Sequence, residues 1–72
     1  MKYADLTPGA YYYVRLHGED FPCVWRYMGA DLDGDRCFED AGYHAYRNLA
    51  PVDIIREAAP HEARLAGWEV AP

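Results

Sequence analysis

Between the runs Cys23-Val-Trp-Arg-Tyr-Met28 and Arg36-Cys-Phe-Glu39 stands the dipeptide Asp33-Gly34. An Asp-Gly pair between two β-prone runs predicts a two-residue type I′ hairpin, because both central residues of that turn need positive φ. Taken literally, this turn sets Asp31 opposite Arg36, Ala30 opposite Cys37, Gly29 opposite Phe38 and Tyr27 opposite Asp40. Asp31 and Arg36 then form a cross-strand ion pair worth a few tenths of a kcal/mol, on the order expected for exposed pairs. Cys23 and Cys37 fall on opposite faces of the sheet and are expected as two free thiols.

The same reading extends along the chain. Asp5-Leu-Thr-Pro-Gly9 is a lead-in turn, Pro fixing one dihedral and Gly freeing the next. Residues 10–17 alternate: Tyr12, Val14 and Leu16 share one strand face, and Tyr11, Tyr13, Arg15 and His17 share the other. Pro22 opens the second strand from its edge. Residues 41–48 read as an irregular loop holding Tyr43 and Tyr46, and residues 51–56 as a fourth strand with Val52 and Ile54 on one face. Residues 60–67 begin with Pro and end with Gly, the signature of one or two helical turns. Trp68-Glu69-Val70 is expected as a last short strand. The 72 residues allow a single domain, 1–72. The fold class expected is mainly β: a small SH3-like barrel of four to five antiparallel strands with one short helix near residues 60–66. An OB-type barrel would ordinarily need a longer chain.

Seven tyrosines, two tryptophans and two phenylalanines supply the large buried area that so short a chain requires. There is no basic segment leading into an apolar run and no apolar stretch of membrane-spanning length, which argues against secretion and membrane insertion. Two isolated cysteines point to a reducing cytoplasm, and six arginines against one lysine hint at a bacterial or bacteriophage coding sequence, so the expected location is a bacterial host's cytoplasm. The net charge of −5 is confined to one segment: residues 19–40 hold seven acids (Glu19, Asp20, Asp31, Asp33, Asp35, Glu39, Asp40) against Arg26 and Arg36. Such a segment repels phosphate backbones, so direct nucleic-acid binding is not expected.

Chemistry has few footholds. In Asp31-Leu-Asp-Gly-Asp35, Gly34 falls at the fourth position of a would-be calcium loop and Gly42 stands where the bidentate Glu belongs, so a turn is the better reading. Cys23, Cys37, His17, His44 and His61 show neither C-x-x-C nor H-x-x-x-H spacing. The chain has no serine, and its one threonine lies in a turn. No cofactor, metal or catalytic residue is expected, and the chain reads as a non-enzyme.

"LTPGAYYYVR", then "PCVWRYMG", a D-G turn, "CFE" and "LAPVDII" together resemble small SH3-like barrel proteins encoded by bacteriophages and prophages. In those, a Pro-Gly lead-in opens an aromatic strand and a Pro-containing strand closes the barrel. The likeness covers residues 5–56 and carries over no functional residue. Size, acidity and this phage-like character are also similar to phage inhibitors of host defence, including anti-CRISPR proteins, a likeness of lifestyle rather than of motif.

The leading functional expectation is therefore an acidic binding protein in which Asp31, Asp33, Asp35, Glu39 and Asp40, with Tyr27, contact the basic surface of a protein partner and block it. A second is an SH3- or Tudor-like peptide module using Tyr11, Tyr13, Trp25 and Tyr46. A third is a self-associating structural phage protein, with a homodimer compatible with all three.

Overall fold

The computed structural model describes residues 5–47 and 53–70. Five strands, β1 Tyr11–Arg15, β2 Cys23–Ala30, β3 Arg36–Glu39, β4 Ala45–Arg47 and β5 Asp53–Ala58, are followed by one helix, α1 Pro60–Leu65. They form a single antiparallel sheet in the order β4-β3-β2-β1-β5. Three hairpin steps build the meander, and β5 returns to the free side of β1, the strand order of an SH3-like barrel. The fourth strand read from sequence begins at Asp53 among the described residues; Pro51 and Val52 lie outside them. β4 occupies part of the stretch expected to be an irregular loop. No helix among the described residues is long and apolar enough to cross a membrane.

The alternation in β1 settles which residues go where. Tyr12 and Val14 point into a core with Leu6, Trp25, Tyr27, Phe38 and Ile54, and Leu16 packs at its margin. Tyr11 and Tyr13 point to the opposite face, where Val24, Ala58, Ala63 and Trp68 form a second cluster. Both faces of the sheet are thus covered, and this explains how 72 residues employ so many rings. The lead-in is stitched down by backbone bonds from Gly9 to Tyr27 (2.7 Å) and from Tyr27 to Ala10 (3.0 Å). The Thr7 amide donates to the Tyr12 hydroxyl at 2.7 Å, so the buried phenol keeps a partner.

Two bulges bend the sheet. The β2–β3 register shifts between Tyr27 and Gly29, leaving Met28 as the extra residue, and the β1–β5 register shifts so that Ile55 is extra. Met28 and Ile55 are among the large apolar side chains left exposed, and the bulges account for both. The bulge in β2, with Gly29 at φ 94°, is one reason the register departs from the expected one. Tyr27 pairs with Phe38, Gly29 with Cys37 and Ala30 with Arg36, so Asp31 is not opposite Arg36. The thiols nonetheless lie on opposite faces, Cys23 against the first core and Cys37 out of phase with Phe38, and both are free.

Trp68 is not a strand residue. Helix α1 ends in a Schellman motif: Gly67, at φ 101°, donates to Arg64 at 3.0 Å, and the Trp68 amide donates to Ala63 at 3.0 Å. This reversal folds Trp68 back onto the sheet, where its indole N–H donates to the Val24 carbonyl at 2.9 Å. That carbonyl lies beyond the β2–β3 ladder, which starts at Arg26, so the indole supplies a donor that no strand provides. At the other end of α1, Ala59 has no side-chain acceptor, and half a capping box remains: Glu62 Oε1 accepts from the Ala59 amide at 3.0 Å. Arg56 grips the same carboxylate through two hydrogen bonds (3.0 and 2.7 Å), and the Tyr13 hydroxyl donates to it at 2.8 Å. The helix is thereby clamped to the second face.

Candidate functional site

The acidic segment is built from one loop used twice. Asp31 Oδ1 accepts from the amides of Asp33 and Asp35, both at 2.9 Å. Gly34 donates to the Asp31 carbonyl at 3.0 Å, and the Asp31 amide donates to Asp35 at 2.9 Å. Nine residues later Asp40 Oδ1 accepts from the amides of Gly42 (2.9 Å) and His44 (3.0 Å). Tyr43 donates to the Asp40 carbonyl at 2.9 Å, and the Asp40 amide donates to His44 at 3.0 Å. Each is a three-residue hairpin loop whose last position is left-handed: Gly34 at φ 83° in the first, Tyr43 at φ 63° in the second. The expected two-residue type I′ turn is corrected accordingly. The Asp31 side chain captures two amides and favours the longer loop, which shifts the register by one residue before the bulge shifts it again.

The free ends of the two carboxylates differ. Arg47 Nε lies 3.2 Å from Asp31 Oδ2, an ion pair that lacks hydrogen-bonding alignment. This replaces the expected Asp31–Arg36 pairing. Asp40 Oδ2 accepts from the Tyr46 hydroxyl at 2.8 Å, and His44 Nδ1 stands 3.4 Å from Oδ1. Burial alone would raise the Asp40 pKa; hydrogen bonds from Tyr46 and from the His44 and Gly42 amides outweigh it and hold the carboxyl below its ordinary value. The same bond raises the Tyr46 phenol.

The sheet separates the expected site residues instead of gathering them. Asp31, Asp33 and Asp35 sit at one end of β2, their carboxylate oxygens within 4.8 Å of one another, the one group among the described residues whose oxygen, nitrogen or sulfur ligands converge as a metal site would need. Glu39 and Asp40 lie at the other end, with Glu19 and Asp20 in the β1–β2 loop. The four-residue strand β3 separates the two groups, setting Asp35 and Glu39 roughly 13 Å apart at about 3.3 Å per residue. Tyr27 and Trp25 are core residues, 6% and 3% exposed, so the surface contacts expected of them are corrected: the core takes both rings. Trp25 stacks flat on Tyr46, centroids 4.5 Å apart and planes 3° from parallel. Tyr11 meets the Trp68 edge at 5.0 Å, and Arg56 lies 4.5 Å over the Tyr13 ring. Tyr11 and Tyr13 therefore serve the second face, half-buried.

Two features escaped the sequence reading. Leu32, at the tip of the first loop between Asp31 and Asp33, is fully exposed; an apolar residue at the turn position most open to water is its signal. The other is an open cleft of about 560 Å³ at the opposite end, lined among others by Cys23, Trp25, Asp40, Tyr46 and Ala66. Burial, followed by the charge of Glu19, pushes the Cys23 thiol up, away from the thiolate that a nucleophile needs.

Comparison with protein-family models, with curated proteins and with solved structures finds no match to this chain.

Proposed function

We propose that this protein acts by binding, presenting the acidic ends of its β2–β3 hairpin to a basic surface on another protein. The observation that carries the reading is the doubled loop. Asp31 and Asp40 turn their carboxylates inward and fix the two loops, while Asp33 stays exposed and, like Asp35, makes no ion pair among the described residues. A loop already held in one conformation loses little entropy on binding, so its charges and the exposed Leu32 can act as a preformed contact. In its concrete form the partner is a nucleic-acid-binding protein of a bacterial host's cytoplasm, and the chain is a phage-encoded inhibitor of anti-CRISPR type that covers its basic site. The peptide-module reading draws less from the geometry, since Trp25 is buried and Tyr11 and Tyr13 pack against the second face. The self-association reading draws on exposed apolar side chains, Phe21, Met28, Ile55 and Leu65 among them.

The test is capture from bacterial lysate by the native chain and by a chain carrying Asp31→Asn, Asp33→Asn and Asp35→Asn. Asn keeps the oxygen that accepts the loop amides and removes only charge. The expected result is a dominant partner with a basic surface, retained by the native chain and lost by the triple variant. Equal capture by both chains would exclude the first loop as the contact.

A further inference from the structure

The cleft at the Cys23 end of β2 is walled by residues that share no chemistry except their suitability for a flat cation. Tyr46 forms one side, backed by the Trp25 ring stacked 4.5 Å behind it. Asp40 forms the polar element. Its Oδ1 already accepts two amides, and its Oδ2 accepts only the Tyr46 hydroxyl. An ionised carboxylate has about four acceptor positions, so Oδ2 retains one. The remainder is apolar side chain, backbone and the Cys23 thiol, Leu16, Pro22, Ala41 and Ala66 among it, and no Lys, Arg or His lines the cleft. Glu19 and Asp40 both bear on the Cys23 sulfur electrostatically, so two negative charges act on the space with no basic side chain in its walls. Its volume, about 560 Å³, lies within the roughly 300–1,000 Å³ typical of small-ligand pockets and exceeds the needs of one side chain.

We infer that this cleft receives an arginine side chain from an extended, basic segment of the partner, the guanidinium lying against Tyr46 and donating to Asp40 Oδ2. Arginine suits it better than lysine, because a planar guanidinium stacks on a ring and hydrogen-bonds in its own plane simultaneously. The inference rests on the reading that the partner is basic and gives that partner a point of attachment.

The experiment is a two-dimensional amide NMR titration of the full chain with a capped peptide of alternating glycine and arginine, repeated with citrulline in place of arginine. Citrulline keeps the shape and removes the charge. The expected result is saturable shifts centred on Cys23, Gly42 and Tyr46, with affinity about tenfold weaker for the citrulline peptide. Ala66→Leu adds bulk at the cleft wall from an exposed helix-end position of ordinary backbone conformation, and should abolish these shifts while leaving the Trp68 indole resonance in place. The ligand-side comparison holds even if that variant folds poorly. Shifts confined to residues 31–35 would overturn the cleft assignment and leave the acidic-hairpin reading standing. Equal affinity for both peptides would overturn the cationic occupant. No shift at any residue would overturn both.

Discussion

Asp31 and Asp40 show what a single carboxylate does when it sits at the start of a short loop. Each takes two amides that would otherwise face water, and each is followed by a loop whose third and last position is left-handed. At the first loop that position is Gly34, where an added Cβ meets nothing within 4 Å. Gly34→Ala should therefore destabilise the protein by about 1 kcal/mol through backbone strain alone, read by chemical denaturation. Asp31→Ala should cost roughly 1–3 kcal/mol, while Asp31→Asn, which keeps the acceptor, should cost distinctly less. At the second loop Tyr43 tolerates the strained conformation and sets its ring edge-on to Trp68, 5.9 Å away. Glu62 and Asp40 give the pH dependence. Both pKa values are depressed in the folded chain, Glu62 by the Arg56 guanidinium first, then the Ala59 amide and the Tyr13 hydroxyl. A depressed carboxyl contributes stability that is fully present above its unfolded value, about 4, and is lost as pH falls toward the folded value. Melting temperature should fall as pH drops below about 4, and Glu62→Gln should flatten part of that fall.

At the scale of elements, the strands were legible and the joints were not. The alternation of residues 10–17 separated Tyr12, Val14 and Leu16 from Tyr11 and Tyr13, as the two clusters do, because period two follows from the extended backbone itself. Pro60 and Gly67 marked α1 through their covalent structure: Pro fixes φ in the first turn, and Gly permits the left-handed conformation that ends the helix. The hairpin register escaped because it is decided by side-chain hydrogen bonds within the loop and by the bulge at Met28, neither of which leaves a periodic trace. β4 escaped because three residues are too few to show a period. The fate of Trp68 turns on the Schellman reversal at Gly67, which reading Trp68-Glu69-Val70 as a strand does not contain. Trp68→Ala should cost about 3–5 kcal/mol, and Trp68→Phe should cost about 1–3 kcal/mol, the penalty of leaving the Val24 carbonyl without its donor. Thermal unfolding of the two variants, side by side, separates packing from the hydrogen bond.

Taken whole, the molecule divides its charge. A block that is continuous in sequence becomes two acidic ends on one hairpin, and that division could not be read without the strand lengths and the turn back at Glu39. The candidate site was legible as a charge imbalance, which is additive along the chain. Its geometry was not, because the expectation assigned Tyr27 and Trp25 to the surface whereas the need to fill a small core drew them inside. The most direct test of the binding account is fluorescence anisotropy of a labelled arginine-rich peptide, titrated with the native chain and the Asp31/Asp33/Asp35→Asn variant at low and moderate salt. The account predicts saturable binding to the native chain that weakens several-fold with added salt and again with the triple substitution. Binding indifferent to both changes, or absent at low salt, would contradict it.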